Sequence, residues 1–198
     1  MVLHESILSD SIFTVTENTG LVGAATRYKV LDSKGNEVGM LQESIPNFFK
    51  KLLKFTPVKN ILSFKVVFFD SSNKEVFILN RSFTFLLSKV FVKDADGKVL
   101  GYFKQKLRLW SGRFDMFTDA GQLAVSIKGD WKDWHFKILD PQKNKVGVIS
   151  KKWNGFFKEV FTTNDSYLVK IEKLVSPQEK VLILSTAIVI DMILQEYS

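Results

Sequence analysis

The chain offers little for covalent chemistry and more for holding anions. Its two histidines, His4 and His135, stand apart from each other and from any nucleophile. No Ser/His/Asp grouping, close carboxylate pair, phosphate-cradling glycine loop or metal-ligand cluster can be assembled from the spacing. There is no cysteine, which removes thiolate catalysis, zinc–thiolate sites, disulfides and palmitoylation. No catalytic residue, cofactor or metal is expected, and the chain reads as a binding module without enzymatic activity. What remains are cations set beside aromatic rings, whose chemistry is the recognition of phosphate-bearing surfaces.

Three stretches carry such groupings. Residues 47–55 read as a short amphipathic helix between Pro46 and Pro57. At about 100° per residue, Phe48, Phe49, Leu52, Leu53 and Phe55 fall on one side and Lys50, Lys51 and Lys54 on the other. That helix either caps a sheet or dips its Phe face into headgroups while its lysines meet phosphates. In a strand through residues 103–109, alternation puts Lys104, Lys106 and Arg108 on one face, opposite Phe103, Leu107 and Leu109. Trp131, Trp134 and Trp153 lie among Lys128, Lys132, Lys151 and Lys152. Aromatics beside lysines suit a membrane interface, base stacking or plain packing. The anion or lipid-headgroup candidates are therefore Lys50, Lys51, Lys54, Lys104, Lys106, Arg108, Lys151 and Lys152. The candidate interface aromatics are Phe48, Phe49, Trp131 and Trp134. DADGKVLG at 94–101 has the look of a calcium loop. Such a loop needs Gly at its sixth place and Glu at its twelfth, and Val99 and Gln105 stand there. It reads instead as a hairpin turn.

The elements that must position these groups follow one recurring pattern. A β-rich run leads to a turn with Asp or Asn, then Gly or Asn, and a second β-rich run follows. It reads YKVLDSKGNEVGML at 28–41, FKVVFFDSSNKEVFIL at 64–79 and VFVKDADGKVLGYF at 90–103. It continues as FDMFTDAGQLAVSI at 114–127, FKILDPQKNKVGVI at 136–149 and VFTTNDSYLVKI at 160–171. The turn positions are Asp32, Asp70, Asp94, Asp119, Asp140 and Asn164. Asp and Asn bond their own turn backbone and Gly supplies positive φ, while the Val, Ile, Phe and Tyr of the flanks favour strands. Six hairpins predict about twelve antiparallel strands.

The last element is SPQEKVLILSTAIVIDMILQE, residues 176–196. Ser176 can cap it, Pro177 suits the first helical position and Glu179 completes a capping box. From Val181 to Leu194 it is apolar on every side, broken only by Ser185, Thr186 and Asp191, so it must be surrounded. That run is about 21 Å of helix, short of the roughly 20 apolar residues a bilayer core asks for, and Asp191 opposes burial in lipid. Protein is the expected surround, with Asp191 satisfied at a barrel mouth by Lys, Arg or backbone amides. A sandwich has no room for this helix, whereas a closed sheet has a lumen that must be filled. The expected fold is mainly β (α+β in class): a closed antiparallel barrel of about twelve strands around a buried C-terminal helix. It spans 1–198 as one domain, with 1–12 loosely ordered.

The 198 residues, with 45% apolar side chains and 18 Phe, can bury a sizeable core. The formal charge is +7. Residues 1–20 carry three acids and no Lys or Arg, which leaves 28 basic against 18 acidic side chains beyond them. Such a surface favours anionic phospholipid, nucleic acid or acidic protein partners. The separated cations and the absence of a reading motif make nucleic acid the weakest of these. The N-terminus, MVLHESILSDS, has no basic n-region or long apolar h-region. A cytoplasmic protein, peripheral at a membrane, is expected.

The hairpin run and terminal helix together resemble the phospholipid scramblase family and its LURP-one-related relatives, which share the tubby C-terminal-like fold. VLGYFKQ, FDMFTDAGQLAVSIKG, FKILDPQKNKVGVISKKWNGFFKEVFTTND and AIVIDMILQE follow the family's order over residues 99–196, and ISKKWNGFFKEVFT at 149–162 is the most specific piece. The resemblance implies a twelve-stranded barrel threaded by the C-terminal helix and association with anionic phospholipid. One departure bears on metal. The family's calcium segment reads TTNDSYLVKIEK at 162–173, where only Asp165 matches an acidic ligand and Thr163 replaces the first carboxylate. Calcium takes about 6–8 oxygen ligands, so calcium binding is not expected. Three partner classes stay open: an anionic membrane surface first, a protein partner of a soluble scaffold second, nucleic acid third.

Overall fold

A computed structural model describes residues 10–18, 27–43, 64–81, 89–104, 113–130, 133–151, 166–173 and 175–197. Twelve strands and one helix are built from them. The strands are β1 (Ile12–Asn18), β2 (Arg27–Leu31), β3 (Glu37–Glu43), β4 (Phe64–Asp70), β5 (Glu75–Arg81) and β6 (Lys89–Asp94). They continue as β7 (Val99–Lys104), β8 (Arg113–Thr118), β9 (Leu123–Asp130), β10 (His135–Leu139), β11 (Lys145–Ser150) and β12 (Ser166–Ile171). The helix α1 spans Pro177–Tyr197. Each strand pairs antiparallel with its sequence neighbours, and β1 pairs with β12 to close the barrel. Closure leaves no open sheet edge.

Five tight turns share one design. The Asp32 carboxylate accepts from the amides of Lys34 and Asn36, both at 2.8 Å. Asp70 and Asp94 do the same for Ser72 with Lys74, and for Asp96 with Lys98. Asp140 accepts from the Asn144 amide at 2.7 Å. The fourth turn corrects the sequence reading: its carbonyl and hydroxyl come from Thr118, not Asp119, with Gln122 N 3.2 Å from Thr118 Oγ1. The fourth residue of each turn is left-handed: Gly35, Asn73, Gly97, Gly121 and Lys143. Each turn is followed by a register shift in its hairpin, as between Val92 and Lys93. The count of twelve is reached differently from the six hairpins expected. Five hairpins supply ten strands, and β1 and β12 supply the closing pair. The first half of the sixth, residues 160–165, lies outside the described residues, as does the expected helix at 47–55.

The turns gather at one end of the barrel, so the segments between hairpins all connect strands at the other. The helix enters at the turn end. Its capping box forms as the sequence predicts: Glu179 N is 3.2 Å from Ser176 Oγ, and Ser176 N donates to Glu179 Oε2 at 2.7 Å. Gln178 Nε2 donates to the Leu100 carbonyl at 2.7 Å and Lys180 Nζ to the Asp10 carbonyl at 2.8 Å, fixing that end to the wall. From Val181 to Met192 every helix residue is buried. The inward row of each strand, such as Val90 and Val92 on β6 or Phe114 and Met116 on β8, completes one core with it. Gly101 admits the helix: a Cβ there would stand 3.1 Å from Leu182 Cδ2 and 2.5 Å from the Phe117 carbonyl oxygen. Thr186 Oγ1 returns its proton to the Leu182 carbonyl at 2.9 Å. Among the described residues, no helix is long and apolar enough to cross a membrane.

Candidate functional site

With the lumen filled, the exposed charged groups among the described residues are on the outer wall and in the turns. Alternation turns Lys89, Phe91 and Lys93 of β6 outward while Val90 and Val92 face the helix. The same alternation exposes Lys104 on β7, Lys128 on β9 and Lys137 on β10. The register then does something that no local pattern announces. Lys89 stands directly opposite Lys104, and Lys128 directly opposite Lys137. Arg113 of β8 faces Lys128 across the next ladder. Cross-strand partners have Cβ atoms about 4.5–5.5 Å apart, where like charges repel.

A ring row adjoins the first pair. Phe91, Tyr102 and Phe117 are successive ladder partners on β6, β7 and β8. Tyr102 and Phe117 stack with centroids 5.4 Å apart, and Phe91 lies 6.0 Å from Tyr102, tilted. All three are half-buried and outside the core cluster. Lys89 Nζ sits 4.8 Å above the Tyr102 ring. Phe91, Tyr102, Phe117 and Lys89 are not among the candidates read from the sequence, because a row across three strands is a property of register. The neighbouring acid is Asp115, opposite Lys104 in the ladder. Asp115 is buried and accepts the Ser126 hydroxyl at 2.8 Å.

The sequence candidates fare unevenly. Lys104 ends β7, exposed. Lys151 is half-buried, its Nζ 4.3 Å over the Trp134 ring, and its amide donates to the Trp134 carbonyl. Trp134 adopts φ +49°, which a bulky residue tolerates only when its surroundings hold it. Tyr167 does so by stacking at 5.7 Å, with Phe136 edge-on at 5.8 Å. That indole is half-buried against the core. Phe48, Phe49, Lys50, Lys51 and Lys54 lie outside the described residues, as do Lys106, Arg108, Trp131, Lys152, Trp153, Thr163 and Asp165.

Four lysines elsewhere, Lys29, Lys145, Lys170 and Lys173, meet carboxylates. Lys145 is 3.0 Å from Glu172, Lys29 3.3 Å from Glu37 and Lys173 3.7 Å from Asp140. Inside the barrel, Asp191 receives the Tyr28 hydroxyl at 3.1 Å. Burial and the Asp191 charge hold the Tyr28 and Tyr167 phenols well above the usual tyrosine range. Among the described residues, no group of three or more His, Cys, Asp or Glu is arranged to hold a metal ion. Among the described residues, the outer wall of β6–β8 sets lysines beside aromatic rings.

A family model described as Scramblase matches residues 12–197. The chain belongs to the scramblase family. It is similar to a phospholipid scramblase family protein of Schizosaccharomyces pombe, 24% identical over 154 residues that cover 74% of this chain and 40% of that one. It is 20% identical over 173 residues to altered inheritance rate of mitochondria protein 25 of Saccharomyces cerevisiae, covering 75% and 52% of the two chains. Phospholipid scramblase 1 of Mus musculus is 25% identical over 142 residues, covering 64% and 43%. This scramblase-family chain thus spans 40–52% of the length of those relatives. Its fold is shared with an Arabidopsis thaliana protein solved by X-ray crystallography, at a TM-score of 0.55 and 14% identity over 92% of this chain and 91% of that one.

Proposed function

We propose that this scramblase-family barrel is a non-enzymatic module that binds the anionic surface of a phospholipid membrane through cations on its outside. The observation that carries this reading is the pair of directly opposed lysines, Lys89 with Lys104 and Lys128 with Lys137. Like charges set face to face cost stability in the isolated barrel, and an anionic surface reverses the sign of that cost. Each lysine near such a surface contributes about 1 kcal/mol, so one such pair contributes about 2. The filled lumen supports the same reading, since it leaves the outside as the place where a ligand can meet the protein. The names of the relatives point to phospholipid as well.

The test is co-sedimentation of the chain with phosphatidylglycerol vesicles, with phosphoinositide vesicles and with neutral phosphatidylcholine vesicles. Pelleting with the anionic vesicles alone, weakening as salt shortens the Debye length below about 10 Å, is the expected result. Equal pelleting with neutral vesicles, or none with any, overturns the proposal. Recovery of a stoichiometric protein partner in the absence of vesicle binding would replace it with a scaffold role.

A further inference from the structure

We infer that the surface laid against the membrane is the outer wall of β6–β8, where Phe91, Tyr102 and Phe117 form a ring row bracketed by Lys89, Lys93 and Lys104. The inference rests on the membrane reading above and adds to it the face and the way it docks. Two demands meet on this wall. A bilayer interface takes up amphipathic and aromatic side chains at the headgroup level and pairs its phosphates with cations that reach past them. Along β6, Lys89 and Lys93 stand two residues to either side of Phe91 on the same face. On β7, Lys104 stands two residues beyond Tyr102. Phe91 and Tyr102 therefore each have a lysine two residues away on the same strand and face, Lys89 lies over the Tyr102 ring, and Phe117 joins the row by stacking on Tyr102. Asp115 shares this face, opposite Lys104 and two residues from Phe117, but it is buried and accepts the Ser126 hydroxyl, so the wall stays cationic at Lys89 and Lys93 and is partly offset at Lys104.

Among the described residues, three other groups of cations fail one demand or the other. The ladder partners of Lys128 and Lys137 are each other, Arg113 and Val148, with no aromatic ring among them. Trp134 has its cation, Lys151, but stacks on Tyr167 at the wall of the core. At the turn end, Lys145, Lys170 and Lys173 are offset by Glu172 and Asp140. The β6–β8 wall combines apolar ring surface with cations directed to the same side, which is the complement of an anionic interface.

The natural absence of cysteine makes the face directly readable. The full chain carrying Tyr102→Cys, labelled with an environment-sensitive fluorophore, is mixed with phosphatidylcholine vesicles containing phosphatidylserine. Asn144→Cys, in the turn between β10 and β11, is the comparison. The label at 102 should brighten and shift to the blue, and the label at 144 should not. In parallel, Lys89→Glu with Lys104→Glu should weaken vesicle partitioning by about 30-fold, from about 1 kcal/mol for each lysine. Lys128→Glu with Lys137→Glu makes the same change in net charge and should weaken it less than about threefold by this placement. Each variant's thermal melt checks that the barrel is intact. If the unsubstituted chain binds the vesicles but the label at 102 stays silent, or the second charge pair loses more than the first, the face is wrong and the membrane reading survives. If the unsubstituted chain does not bind, both fall.

Discussion

The Tyr28 hydroxyl donates to Asp191 Oδ2 at 3.1 Å, tying β2 to the helix across 163 positions of sequence. Both side chains are buried. The bond joins plug to wall near the connection end, as Gln178 with Leu100 and Lys180 with Asp10 do at the turn end.

Tyr28→Phe should therefore destabilise the barrel by about 1–3 kcal/mol, since it strips a donor from a buried carboxylate. Urea unfolding measures this, and a cycle with Asp191→Asn should give a coupling above about 0.5 kcal/mol. The sign of the pH effect follows from the raised phenols. Tyr28 and Tyr167 keep their protons more tightly folded than unfolded. Their contribution is complete below the unfolded value near 10 and is lost as pH rises through the higher folded values. Melting temperature should accordingly drop on the alkaline side of about pH 10.

The acid side is set by other groups. Burial pushes the Asp10 carboxyl up, but the Ser33 hydroxyl and the amides of Ser33, Ile12 and Ser11 outweigh it and hold Asp10 below its ordinary 3.8. Asp32 is likewise lowered: burial raises it, and the bonds from Asn36 and Lys34 outweigh burial. Depressed carboxylates lend stability above the unfolded value and lose it as pH falls through the folded one. The melting temperature should fall below about pH 4, and Asp10→Asn should flatten part of that fall.

Gly101→Ala tests how closely the wall approaches the plug. The added methyl meets Leu182 and the Phe117 carbonyl. A loss of about 1–3 kcal/mol in denaturant unfolding is expected for such overpacking. Gly97→Ala is the contrast: nothing lies within 4 Å, but φ is +84°, so the loss should be about 1 kcal/mol and purely conformational.

Removing residues 177–198 takes away the helix that, among the described residues, fills the core between the inward strand faces. Each fully buried Leu or Ile contributes about 1.5–3 kcal/mol, and the helix supplies several. The shortened chain should lose its cooperative melt and bind a hydrophobic dye. A sharp transition close to that of the full chain would show that the barrel stands without its plug.

Much of this architecture can be read locally. An Asp whose carboxylate bonds amides just ahead of it writes its own turn, so four of the five hairpins announce themselves. Ser176, Pro177 and Glu179 write their own cap, and the apolar run from Val181 onward demands an enclosure. Even so, Thr118 displaced Asp119 at the fourth turn, because either side chain can accept the same amide and only the strand register chooses. β1 lies outside the five tight-turn hairpins, and its partner β12 is brought to it only by closure.

The outer wall is where sequence reasoning stopped. Lysines and rings could be counted along the chain, and alternation put Lys104 outside. Phe91, Tyr102 and Phe117 are 11 and 15 positions apart, a spacing without meaning until the bulges after each turn set which residue faces which. Turns and caps are made by neighbours within a few bonds, so the amino-acid order alone determined them. Rows across strands are made by hydrogen-bond register around a closed sheet, so the folded barrel alone decided which charges oppose one another and which rings share a face.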